Sequence, residues 1–175
     1  MLTVLDPRLS AAGEALRMAP ALASLKGKVV GLLDNAKIGT ERFYDHVAEI
    51  LQSRYGVAEL IRRRKPDASR PVPEALLAQM RGADAILSGI GDCGSCSSCS
   101  LHDAIEAERL GIPAVAIMTA PFRRSAQAVA EVNGRPAYPF AVIEHPIAND
   151  DDAALRAKAE IALQQILPYL LERNT

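Results

Sequence analysis

The chain has no tryptophan, only four tyrosines and three phenylalanines, and no cysteine outside residues 93–99. So few aromatics leave little surface on which nucleobases could stack. Its 20 basic and 21 acidic residues give a net charge of −1, which provides no electrostatic footprint for nucleic acid or an anionic membrane. The longest apolar stretch free of charge, residues 110–122, is interrupted by Pro113 and Pro121 and is too short to span a bilayer. An apolar segment near the N-terminus ends in Ala21-Leu22-Ala23, faintly like a signal-peptidase site, but Asp6, Glu14, Arg17 and Pro20 break it up. Three clustered cysteines cannot form the dispersed disulfide framework of a secreted domain, so a reducing, cytoplasmic compartment is expected.

What is present is a 175-residue chain, 49% apolar, long enough for one domain with a full core. Residues 1–27 read as an N-terminal arm, with a short helix over 16–25, and residues 28–175 as a single domain. Strand-like and helix-like patterns alternate along that domain without a long linker or repeat. Strands are predicted at 28–33, 57–61, 85–90, 112–118 and 140–143. Helices are predicted from Glu41, over 73–80, over 101–110, over 126–132, and from Asp152, with Pro168 kinking or ending the last. Ser100 and Asp103 have the spacing of a capping box for the helix over 101–110, and Gly111 with Pro113 closes it.

Strands that each lead into a helix need crossover connections, hence a parallel sheet covered on both faces. The expected fold is α/β: a three-layer αβα domain around a mostly parallel five-stranded sheet, flavodoxin-like. Ligands of such sheets bind beyond the carboxyl ends of the strands, near the point where strand order reverses. That rule gathers Asp34, Asn35 and Lys37 after the first strand and the arginine run 62–64 after the second. It adds residues 93–102 after the third strand, Thr119 after the fourth, and Glu144 and His145 after the fifth.

The segment after the third strand carries the chemistry. Residues 89–103 place Cys93, Cys96 and Cys99 at a strict three-residue spacing in a glycine- and serine-rich loop that leads into a helix. Unpaired N–H groups and the positive dipole end of that helix favour a thiolate, the nucleophilic and metal-binding form of cysteine. Cys93-Gly94-Ser95-Cys96 has the two-residue gap of an attacking and a resolving thiol. Cys93, Cys96, Cys99 and His102 taken together instead suggest zinc or an iron–sulfur cluster, against which the chain lacks a second knuckle and a fourth cysteine. Packing alone is a poor reason for three cysteines amid Gly, Asp and Ser.

Near the loop, His102 reads either as an acceptor of the thiol proton or as a surface residue. Asn35 and Lys37 would hold a small anion beside the thiolate. Asp92 suits turn chemistry next to glycine, and Arg62, Arg63 and Arg64 read as a solvated run. His145 points at the site if the fifth strand forms. The candidate catalytic set is Cys93, Cys96 and His102; candidate substrate contacts are Asn35, Lys37, Asp92, Ser95, Thr119 and His145.

The hexapeptide Gly91-Asp92-Cys93-Gly94-Ser95-Cys96, followed by Ser100, His102-Asp103 and Gly111-Ile112-Pro113, resembles the UGSC family of bacterial proteins, whose name spells the motif with selenocysteine first. The resemblance runs from Asn35 and Lys37 through Phe122 to His145-Pro146. It implies kinship with the selenoprotein subunits of glycine and proline reductases, and redox or nucleophilic chemistry at Cys93 with Cys96 resolving. Cys93 stands where some members carry selenocysteine, and Cys99 lies outside the name-giving motif. The expected function is that of a thiol-dependent oxidoreductase without a cofactor. Cys93 attacks a small electrophilic substrate, Cys96 resolves the adduct as a disulfide, and an external thiol reductant regenerates the pair. A hydrolase or lyase using Cys93 covalently, or a metal-binding or redox-sensing module, are the alternatives. The apolar arm and the last helix are the surfaces available to a homo-oligomer.

Overall fold

A computed structural model describes residues 17–172. β3 (Ala85–Gly91) and β4 (Ala114–Thr119) are buried at every position, as the apolar runs of a parallel sheet covered on both faces must be. They lie beside β1 (Val29–Asp34), with β2 (Glu59–Arg64) and β5 (Phe140–Ile143) at the edges, all parallel, in the order β2-β1-β3-β4-β5. This is the flavodoxin-like order, and its reversal point falls between β1 and β3.

Side chains alternate across the sheet and feed two cores. On one face, α1 (Thr40–Tyr55) and α5 (Asp152–Leu171) bury Phe43, Val47, Leu163 and Ile166 against Leu32, Leu87 and Ile117. On the other, α2 (Glu74–Ala78), α3 (Gly94–Arg109) and α4 (Arg123–Val132) bury Leu77, Leu101 and Ala126 against Leu33, Ile86 and Met118. The β5 edge is closed by one amide: Gln165 accepts from the Val142 N–H (3.0 Å) and donates to its carbonyl (2.8 Å), filling the place of a neighbouring strand. Among the described residues no helix is long and apolar enough to cross a membrane.

Three local expectations are corrected. Of the expected short helix over 16–25, Leu16 lies outside the described residues, as does the rest of the arm up to it, and residues 17–25 are not helical. Their backbone is satisfied elsewhere, the Leu22 N–H by the Leu170 carbonyl and the Ala19 N–H by the Glu108 carboxylate. Pro168 does not end α5, which runs on to Leu171 because Ile166 and Leu170, buried on either side of the proline, offset the backbone bond it cannot make. The largest correction is at α3, which starts at Gly94 and not at about Leu101, so the cysteine segment is helix rather than loop.

Candidate functional site

The serines explain why α3 begins early. In an isolated peptide they compete with helix formation, but here the Ser97 hydroxyl donates to the Cys93 carbonyl (2.7 Å) and that of Ser98 to the Gly94 carbonyl (3.0 Å), both along the helix. The buried side also has room for nothing large. A Cβ on Gly91 would meet Met118 and sit 2.7 Å from the Ser97 Cα, so the glycine ending β3 lets the first turn of α3 lie directly on the sheet. Ser100 and Asp103, expected as a capping box, are instead fully buried inside the helix.

Cys93 is the N-cap of α3, and its sulfur accepts the Cys96 N–H at 3.2 Å. Cys93 and Cys96 are joined as a disulfide across that turn, with Cα atoms 5.2 Å apart. The two sulfurs differ in access: Cys93 is half-buried and Cys96 is 1% exposed. A backbone N–H aimed at the accessible sulfur, at the positive end of a four-turn helix, stabilises negative charge on it. Ser95, also expected at the site, stands 3.5 Å from the Cys93 sulfur and donates to the Ser69 hydroxyl (3.4 Å) in the loop between β2 and α2. No sequence signal pointed to Ser69, which lies outside every motif.

Three other expected residues meet at the strand tips. Asp92, buried and immediately before Cys93, has its Oδ1 2.8 Å from the His145 Nδ1. The Thr119 hydroxyl lies 3.2 Å from the same nitrogen and donates to the Gly91 carbonyl (3.2 Å). Phe122 packs edge-on against the imidazole. The ends of β3, β4 and β5 are thus tied together around Asp92, the residue preceding Cys93.

Asn35 is 1% exposed, and its amide donates to the Ile90 carbonyl (2.7 Å) and the Ser100 hydroxyl (3.4 Å), so it braces β1 against β3 and α3 beneath the site. Asp34 shapes the same turn by accepting from the Ala36 N–H and the Thr40 hydroxyl. Lys37 contributes its carbonyl, which caps Thr40. The run Arg62 to Arg64, expected in the loop after the second strand, instead forms the last three residues of β2, paired in register with β1; its side chains are largely solvated, as expected, with Arg62 paired to Asp45 and Arg64 to Asp34 and Glu41. Lys65, next in line, is not: its ammonium is buried 2.5 Å from the Asp103 carboxylate, whose other oxygen takes the Val72 N–H (2.7 Å). Only a fully paired lysine tolerates such burial.

His102 sits nine residues along α3 from Cys93, about 13 Å up the axis and on the opposite side. Its neighbours are carboxylates of its own helix, Asp103 at 4.0 Å and Glu106 at 3.6 Å. The Asp103 carboxylate pushes the imidazole above its ordinary value, partial burial pulls it down, and Glu106 adds to the rise. At 4.0 Å the Asp103 contact is one of charge, since the buried Nδ1 has no hydrogen-bond partner among the described residues. Cys99 lies a turn nearer the cysteines, partly exposed, with its thiol pushed up by burial. Because each three-residue step drifts by about 60° around a helix, Cys93, Cys96, Cys99 and His102 fan out instead of converging. No three potential metal ligands among the described residues are grouped to hold an ion.

A groove of about 350 Å³ runs between α3 and α4 from Gly94, lined also by Ser98, Ser125, Val129, Val132 and Asn133. The model of the UGSC family matches residues 3–172. The chain belongs to the UGSC family. No curated protein matches it. In this UGSC protein the family hexapeptide therefore spans a strand end, a helix cap and one helical turn; its Gly91 allows the close approach to the sheet beneath, while Gly94 lines the groove.

Proposed function

We propose that this UGSC protein is a thiol-dependent redox enzyme acting on a small electrophile in a reducing compartment. The observation that carries the reading is the asymmetry of the pair: an accessible Cys93 sulfur held at a helix N-cap, within one turn of a buried Cys96. The Cys93 thiolate attacks an electrophilic atom X of a substrate X–Y, forming S–X as Y leaves with the bonding electrons. The Cys96 thiolate then attacks the Cys93 sulfur, forming the disulfide and releasing X with its electron pair. Two electrons pass from the thiols to the substrate, and an external dithiol restores them. The groove between α3 and α4 is lined by Gly94, the residue after Cys93 in the chain.

Intact-mass measurement with and without reductant tests the pair. A difference of two hydrogens mapped to Cys93 and Cys96 is expected, with Cys96→Ser accumulating an adduct on Cys93. Undiminished turnover by Cys96→Ser would recast the protein as a hydrolase or lyase with Cys93 as its nucleophile.

A further inference from the structure

Asp92, Thr119 and His145 are arranged more specifically than a substrate cradle requires. Hydrogens can be assigned around the imidazole from geometry. The Thr119 hydroxyl spends its proton on the Gly91 carbonyl, so toward His145 its oxygen can only accept. The Asp92 carboxylate only accepts as well. Both face Nδ1, which therefore carries a hydrogen, leaving Nε2 as the nitrogen that gains and loses a proton. The ring is fixed by the Phe122 edge, and the side chain is 37% exposed, so it meets solvent at the strand tips. Asp92, which holds the imidazole, directly precedes Cys93 in the chain.

We infer that His145 is the proton donor of the redox site, oriented by Asp92, and that the substrates taken are electrophiles whose leaving atom is a basic oxygen or nitrogen. The inference rests on the proposed nucleophilic role of Cys93. As the Cys93 thiolate forms S–X and the X–Y bond breaks, Y takes the bonding electrons together with the Nε2 proton and departs as Y–H; solvent reprotonates the imidazole. The thiolate itself is sustained by the helix N-cap, not by His145. A leaving group that is already a stable anion gains nothing from this donor, whereas one that leaves as hydroxide, alkoxide or amide depends on it. Asp92 acts through His145 and is a positioning residue.

Two probes separate these cases in the reduced protein. Iodoacetamide alkylates Cys93 with loss of iodide, which needs no proton. Hydrogen peroxide converts the Cys93 thiolate to the sulfenic acid with loss of hydroxide, which does need one; Cys96 then closes the disulfide with loss of water. Rates at Cys93 are followed by peptide mass in the wild type, His145→Gln and Asp92→Asn. His145→Gln should slow the peroxide reaction by about 100-fold or more while alkylation proceeds as in the wild type. Asp92→Asn should lower the same ratio by a smaller factor. Equal loss of both rates would reduce His145 to a structural residue, and no loss of either would remove it from the chemistry; both overturn the inference. Failure of wild-type Cys93 to react preferentially with either probe would instead sink the nucleophile assignment beneath it.

Discussion

In the first turn of α3, Cys93 and Ser95 reach solvent and are held by a backbone N–H and hydroxyls, all neutral groups. In the third turn, Asp103 is fully buried and held by the charge of Lys65 and the N–H of Val72. One helix therefore has a solvent-reaching end held by neutral groups and a locked interior. The difference follows from solvent access. A charge that forms and disappears during a reaction needs water or fixed dipoles nearby, while a permanent charge inside the protein needs a permanent partner. The lock also explains how an accessible N-terminus stays in place: Lys65 and Val72 tie the chain on either side of Ser69 to α3, almost three turns above Cys93.

The largest break in this comparison is Lys65→Met, which strands the Asp103 carboxylate. Denaturant unfolding should show a loss of about 3–5 kcal/mol, and Lys65→Met combined with Asp103→Leu should recover much of it. Gly91→Ala lifts the first turn off the sheet by placing a methyl group against Met118 and Ser97; a cost of about 1–3 kcal/mol is expected, with Cys96 becoming open to alkylation in the reduced protein. Ser97→Ala removes the hydroxyl bond to the Cys93 carbonyl, which keeps its bond from the Ser97 N–H, so only about 1 kcal/mol should be lost.

The smallest effect sharpens the contrast between His102 and His145. His102 is raised in the folded state, so it stabilises the fold fully below its ordinary value of 6.5, and the contribution fades as pH rises through the raised value. His102→Gln should therefore cost about 0.5 kcal/mol or less near pH 6, screened by exposure, and nothing near pH 9. Unfolding midpoints at the two pH values check this. A cost that grew with pH instead would mean that the imidazole is held neutral.

Much of the architecture was legible in local pattern. The apolar runs at 85–90 and 112–118 read as buried strands, and the alternation of strands with helices implied the parallel sheet. The start of α3 was misread because serine, glycine and cysteine are weak helix formers by intrinsic propensity, and tertiary contacts at Gly91 and Ser97 overrode it. Ser100 and Asp103 imitated a cap because spacing alone does not tell an exposed serine from a buried one. The burial of Lys65, next to a solvated arginine run, is not legible in local pattern, since its partner lies 38 residues away.

By itself the sequence determined the fold class, the family, and the segment in which the thiols are concentrated, because each of these is written in short-range periodicity or in a contiguous motif. Only the tertiary structure decided which side chains meet: that Cys96 is buried while Cys93 is not, that Asp103 answers Lys65, and that His145, not His102, stands beside Asp92. Those pairings depend on strand order and on the crossovers that bring the tips of β3, β4 and β5 together, and contacts between residues 53 apart in the chain leave no spacing to read.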